Sequence, residues 1–156
     1  MLRNDPRYAS ASGRCIGFVA DLTLPDSLSA SIPPRSVDIV TCIFVLSALP
    51  PEKFKTAIQN IKAVLRPGGM VLFRDYSLQD AALQRFNDDR RLGEYLCVRQ
   101  DGTLAYYFGE EELNQLFSQE GFSMQESTLI HSKTTNVKRE LDLDRYFLQG
   151  KYRLDP

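Results

Sequence analysis

Apolar positions fall into short dense runs separated by polar stretches rich in proline and glycine, and each run's period suggests an element. Cys15 to Ala20 is a short apolar run closed by Asp21, which predicts a buried strand. Leu24 to Arg35 holds three prolines and three serines and reads as a connection, with one helical turn around Leu28. Val37 to Leu46 is almost continuously apolar and rich in β-branched residues. That pattern predicts a strand covered on both faces, as in a parallel sheet between helical layers. After Pro50-Pro51, the residues Phe54, Ala57, Ile58, Ile61, Val64 and Leu65 recur at spacings of three and four. Glu52, Lys53, Lys55, Gln59 and Lys62 lie off this stripe, so the segment predicts an amphipathic helix. Proline in its first turn and Pro67-Gly68-Gly69 after its last punctuate both ends. Met70 to Phe73 is the next strand. Strand, helix and strand in this order predict a βαβ unit with two parallel strands and a right-handed crossover.

Downstream, Ser77 can cap a helix that buries Leu78, Ala81, Ala82, Leu83 and Phe86. Asn87 to Gly109 is interrupted by Gly93, Gly102 and Gly109 and reads as irregular. Loops of that length in a compact domain usually carry function or stay disordered. Glu110 to Glu120 predicts a helix with Leu113, Leu116 and Phe117 buried, acids in its first turn and Gly121 as its stop. Phe122 to Leu154 predicts a terminal antiparallel hairpin. Its first strand lies between Ser123 and His131, its second spans Arg145 to Leu154, and the charged stretch Lys133 to Asp144 forms the turn.

Composition narrows this α/β picture. The chain has 156 residues, enough for one domain, and 19 basic residues face 20 acidic ones. So even a balance argues against holding nucleic acid by bulk electrostatics, while leaving room for a local basic patch. The longest apolar run, Ile39 to Leu49, is interrupted by Thr41 and Ser47 and is too short to span a bilayer, so no membrane association is expected. Residues 1–13 read as an irregular polar segment without the apolar core of a secretory signal. Cys15, Cys42 and Cys97 are widely spaced within apolar segments and fit reduced core thiols; with His131 the sole histidine, no metal site is expected.

Open parallel sheets bind ligands at the carboxyl ends of their strands. Three places qualify here: Asp21, the stretch Ile43 to Ser47, and Arg74-Asp75-Tyr76. Local sequence leaves alternatives open: Asp21 could be a helix cap, and Arg74 with Asp75 a surface ion pair.

Several ordered stretches carry a family resemblance. Val64-Leu65-Arg66-Pro67-Gly68-Gly69 leading into Met70-Val71-Leu72-Phe73 resembles the turn before the fifth strand of class I S-adenosyl-L-methionine-dependent methyltransferases. Four others are Ala20-Asp21-Leu22-Thr23, Ile43-Phe44-Val45-Leu46-Ser47-Ala48, Phe73-Arg74-Asp75-Tyr76, and Val98-Arg99-Gln100-Asp101-Gly102-Thr103 followed by Tyr106-Tyr107-Phe108. In this order they resemble the tRNA N(3)-methylcytidine methyltransferases, from about Arg14 to the C-terminus.

The resemblance implies a partial Rossmann-like sheet with a C-terminal hairpin, S-adenosyl-L-methionine as cofactor and tRNA as substrate. An aminoacyl-tRNA synthetase or another protein is a candidate partner. A cytoplasmic location is expected, with a nuclear or organellar one left open. Asp21 would reach the cofactor's adenine amino group, with the Leu22 backbone nearby and Ile43 along the pocket. Arg74, Asp75, Arg99 and Asp101 would face the cytosine. Asp75 or Asp101 would stabilise developing positive charge, Arg74 or Arg99 would suit the carbonyl or a phosphate, and Tyr76 or Tyr107 would stack on the flipped base.

No G-x-G-x-G loop exists; Gly13 and Gly17 are the nearest pair and their spacing is wrong. By the family's strand order, 3-2-1-4-5-7-6, residue 14 begins the third strand. The expectation is that residues 14–156 are the C-terminal part of the domain, without its first two strands, with the third strand displaced or paired directly with the fourth. Two readings follow: part of a longer tRNA methyltransferase that is incomplete alone, or a catalytically inactive short paralogue acting as a binding or regulatory partner. A small-molecule methyltransferase of the same fold is a third.

Overall fold

The structure, a computed structural model, describes residues 15–136 and 141–156; the irregular segment expected at 1–13 lies outside them. Strand β1 spans Val37–Ile43, and a 3₁₀ turn at Pro51–Lys53 leads into helix α1, Phe54–Val64. The stripe read from the sequence is the buried face: Phe54, Ala57, Ile58, Ile61, Val64 and the following Leu65 are all inside. Asn60, which the stripe did not contain, is buried with them.

Strand β2, Leu65–Tyr76, is longer than expected because pairing with β1 starts at once, Val37 opposite Leu65, and resumes at Ile39 opposite Met70. Pro67-Gly68-Gly69 is thus extruded as a bulge within the parallel pair. Its two glycines serve different ends. Gly68 has φ +76°, which disfavours a side chain. At Gly69 a Cβ would lie 2.9 Å from the Arg66 carbonyl and 2.9 Å from a Leu65 methyl.

Strands β5 (Phe122–Asn136) and β6 (Leu141–Leu154) complete a four-stranded sheet in the order β1-β2-β6-β5. β1 and β2 are parallel, and β6 is antiparallel to both its neighbours. This is the 4-5-7-6 end of the strand order that the resemblance implied. Helices α1 and α3 (Glu110–Ser118) cover one face. Val71 and Phe73 of β2 and Leu148, Tyr152 and Leu154 of β6 pack there with Leu113 and Phe117, and Phe117 stacks on Tyr152 at 4.0 Å. No helix among the described residues is long and apolar enough to cross a membrane.

The structure corrects six expectations, the first being that Cys15 is a core thiol: it is exposed, while Cys42 and Cys97 are buried. Residues 15–20 form no strand, and Ile16 and Val19 are 79% and 100% exposed; a strand needs a neighbour to pair with, and β1 pairs only with β2 among the described residues. β1 is not covered on both faces: as an edge strand it buries Cys42 fully and leaves Ile39 and Ile43 more than half exposed. Ser77 does not cap a helix, because its backbone stays tied to the sheet through Tyr146. The short helix α2, Ala81–Gln84, is capped instead by Asp80, which accepts from the Ala82 amide at 2.9 Å. Residues 87–109 are ordered, with a 3₁₀ turn at Asp88–Arg90 and an antiparallel pair, β3 (Leu96–Val98) and β4 (Leu104–Tyr106). Strands this short leave no readable period. The terminal hairpin also extends through the predicted turn, pairing Lys133 with Asp144.

Candidate active site

Period two divides the triplet that ends β2. Arg74 and Tyr76 lie on the open face of the sheet, while Asp75 points to the helix-covered face with no exposed surface. Asp75 Oδ2 accepts from the Ser47 amide and Oδ1 from the Tyr76 amide, each at 3.0 Å. Burial pushes this carboxyl above its ordinary value, against those hydrogen bonds and the charge of Arg99. The nearby Cys42 thiol is pushed up to about 12, first by burial and then by Asp75.

At the carboxyl end of β1 the chain turns sharply. Phe44 sits at φ +54° and its amide donates to the Arg74 carbonyl at 2.9 Å, which starts the 3₁₀ turn Leu46–Ala48. This turn aims Phe44 at Tyr76, with ring centres 5.1 Å apart. Tyr76 also meets Tyr107 at 5.5 Å and Phe147 at 6.0 Å, giving a continuous aromatic wall. Cations flank it: Arg99 lies over Tyr76 at 5.3 Å, Arg145 over Tyr76 at 5.6 Å, and Arg74 over Phe147 at 5.0 Å. Arg145 is fixed by Asp80, whose oxygens accept from Nε at 2.9 and 3.0 Å. Burial raises the Tyr107 phenol, so at neutral pH it stays protonated. Arg74 Nε is buried without a hydrogen-bond partner among the described residues, beside a 270 Å³ cavity on the open face that Ile43 also lines.

Two Asp-x-Thr turns hold the remaining acids. Thr103 donates to Asp101 Oδ1 through its amide (3.0 Å) and hydroxyl (2.7 Å), and Thr23 does the same for Asp21 Oδ1 at 2.9 and 2.7 Å. Both carboxyls are held below the ordinary range, first by the threonine hydroxyl. In each, Oδ2 has no partner among the described residues. The Asp21 loop is moored to α1 by Asn60. Its Nδ2 donates to the carbonyls of Leu22 (3.1 Å) and Leu24 (2.8 Å), and its Oδ1 accepts from the Ser27 amide at 3.1 Å.

Tyr76, Tyr107 and Arg99 are therefore brought together, with Asp75 behind them and Asp101 on the β3–β4 turn beside Arg99. Arg74 lies on the same open face, against Phe147. Asp21 and Leu22 sit on the separate moored loop, and Ile43 ends β1. His131 pairs with Asp144 at 2.7 Å on the hairpin, away from this group. Sequence reasoning missed Phe147 and Arg145, which alternate with the buried β6 residues Leu148, Tyr152 and Leu154, and the role of Phe44, which needs a left-handed turn. Asn60 carried one signal, a polar residue at a helix position whose neighbours turn inward.

A family model described as a methyltransferase domain matches residues 7–127. The chain belongs to the methyltransferase family. The chain is 48% identical over 143 residues to the mouse protein named tRNA N(3)-cytidine methyltransferase METTL6, covering 92% of this chain and 50% of that protein. The human protein of the same name is 44% identical over 155 residues, 99% of this chain and 54% of that one. The zebrafish tRNA N(3)-cytidine methyltransferase METTL2 is 37% identical over 153 residues, 98% and 42%. The chain spans about half the length of these curated relatives. Among solved structures, a SAM-dependent methyltransferase from Methanosarcina mazei superposes with TM-score 0.68 at 17% identity, covering 96% of this chain and 76% of that one. A Burkholderia thailandensis 1,6-didemethyltoxoflavin-N1-methyltransferase gives 0.60 at 19%, covering 97% and 57%. These likenesses show the fold of the chain, the class I α/β architecture.

Proposed function

We propose that this chain forms the adenine-side and base-side parts of an S-adenosyl-L-methionine-dependent enzyme that methylates N(3) of cytidine in tRNA. The observation that supports it most is the aromatic wall of Phe44, Tyr76 and Tyr107 with Arg99 across it, at the carboxyl edge of β1 and β2 where this fold places its chemistry. Every base offers a π-face to such a wall, and an adjacent guanidinium suits a cytosine carbonyl. The names of the mouse, human and zebrafish relatives favour cytidine over a small molecule.

The residues present fit the adenine end of the cofactor. Asp21 is ionised and offers Oδ2 to an exocyclic amine, Leu22 is held in place through Asn60, and Ile43 supplies apolar surface. The bound cofactor would supply an electrophilic methyl group. N(3) already carries a lone pair, so the chain's task is in-line placement rather than strong base catalysis. Tyr76 and Tyr107 stack the base, and Arg99 orients it. Asp75, having no exposed surface, acts as a positioning residue: by accepting from both amides it fixes the Ser47 turn and the Tyr76 backbone.

The test is fluorescence-anisotropy titration of the chain with a single-stranded RNA hexamer containing one cytidine. Stacking on an aromatic side chain contributes about 1–3 kcal/mol per base. Tyr76→Leu and Tyr107→Leu should each weaken binding by about fivefold or more, with far-UV circular dichroism unchanged. Parent-like affinity in both variants would overturn the base-side reading.

A further inference from the structure

With 19 basic against 20 acidic residues, the chain cannot gather RNA by overall charge, so any backbone contact has to be local. One cavity concentrates cations. It measures about 620 Å³ and is walled by α2, the 88–90 turn and the β3–β4 turn, with Arg85, Phe86, Asn87, Arg90, Arg99 and Asp101 among its lining. That volume lies within the roughly 300–1,000 Å³ of ligand pockets. Three guanidinium groups face one carboxylate. Arg90 uses Nη1 on the Arg99 carbonyl, and Arg99 uses Nη1 on Thr103 and Leu104. Each guanidinium has five N–H donors, so both keep donors to spare. Arg85 is exposed, and its guanidinium makes no hydrogen bond or ion pair among the described residues.

The cavity shares two walls with the aromatic site. Arg99 lines it while lying over Tyr76, and Phe86 lines it while packing edge-on against Tyr107 at 6.3 Å. We propose that this cavity is a phosphodiester subsite that receives the RNA backbone next to the stacked base, with Arg85, Arg90 and Arg99 as its donors. The proposal rests on the RNA-directed reading above. Asp101 gives the subsite its selectivity. Threonine occupies Oδ1, and the open Oδ2 accepts from a ribose 2′-hydroxyl, which neither DNA nor free phosphate provides.

The experiment is a nuclear magnetic resonance titration of the ¹⁵N-labelled chain, following the arginine Nε–Hε signals and the Tyr76 and Tyr107 amides. The probes are the RNA hexamer, its DNA counterpart and inorganic phosphate. RNA should move the Arg85, Arg90 and Arg99 signals together with both tyrosine amides, and DNA should bind more weakly. Arg85→Gln should weaken RNA binding about threefold to tenfold and reduce the salt slope by about one. Tyrosine shifts with silent arginines would overturn the subsite and leave the base-side reading standing. Arginine shifts with silent tyrosines would keep the subsite and remove that reading. Silence at both, or phosphate reproducing the whole RNA response, would overturn the subsite.

Discussion

Asn60 is the polar side chain on which the Asp21 loop depends, and replacing it gives a measurable consequence. Asn60→Ala removes three hydrogen bonds, to the Leu22 and Leu24 carbonyls and from the Ser27 amide, at a side chain that is 2% exposed. At about 0.5–1.5 kcal/mol net for each bond the gross loss is roughly 2–4 kcal/mol. The loop lies near the surface, so water can recover part of the carbonyl bonding, and about 2 kcal/mol is the expected figure. That is roughly a 30-fold change in the unfolding equilibrium, since about 1.4 kcal/mol is tenfold. Urea unfolding followed by far-UV circular dichroism would read it as a lower midpoint at constant m. Asn60→Asp should cost more. It keeps the acceptor for Ser27 but sets a carboxylate against two carbonyl oxygens. Hydrogen exchange at the Ser27 amide gives the local check, protected in the parent and in Asp, fast in Ala. A loss below about 0.5 kcal/mol in Ala, with Ser27 still protected, would mean that the packing of Leu22 holds the loop and that Asn60 is a bystander.

Titration of Asp75 carries a definite sign. Its folded-state value is raised by burial, so the folded chain holds this proton more tightly than the unfolded chain. Its contribution to stability is therefore full below the ordinary 3.8 and falls as pH rises towards the raised value. Asp75→Asn should flatten that part of a pH series of urea midpoints, and an unchanged slope would contradict it. Asp21 and Asp101 run the other way, contributing above the ordinary range and losing that contribution as pH falls. Gly150→Ala would place a Cβ 2.6 Å from the Tyr152 ring, which is stacked on Phe117. Thermal unfolding should show a loss of about 1–3 kcal/mol. Asp80→Ala removes both the cap of α2 and the partner of half-buried Arg145. A loss of about 3 kcal/mol is expected in urea, and less for Asp80→Asn, which keeps the cap.

Where periodicity was long, the sequence was readable. The α1 stripe, the βαβ order, the α3 helix and the antiparallel end all stand in the structure, because each depends on many residues agreeing with one period. The failures have physical causes. Residues 15–20 have strand composition, but a strand exists only through its partner, and no local pattern reports whether one is there. β3 and β4 are three residues each and are held by Cys97, Ala105 and Tyr107 packing against Leu83, a contact between distant parts of the chain. At the site, Tyr76, Tyr107 and Arg99 were legible as chemistry at strand and loop ends. The inward turn of Asp75 was not deduced, although alternation from buried Phe73 implies it. Arg145 and Phe147 reach the wall across the β2–β6 register, which the sequence does not print.

Among the described residues the side of β1 away from β2 is unpaired, and this has a consequence for handling the chain as given. A strand that pairs on one side only presents a row of unused amides and carbonyls, and here it is flanked by Ile39, Ile43 and the neighbouring Phe44, all substantially exposed. Sheet edges of this kind recruit further strands from other copies. Self-association through this edge would be second order in the chain, so its rate would rise with the square of protein concentration. A lysine at Ile39, placed where no helix covers it, is the least disruptive way to close that template.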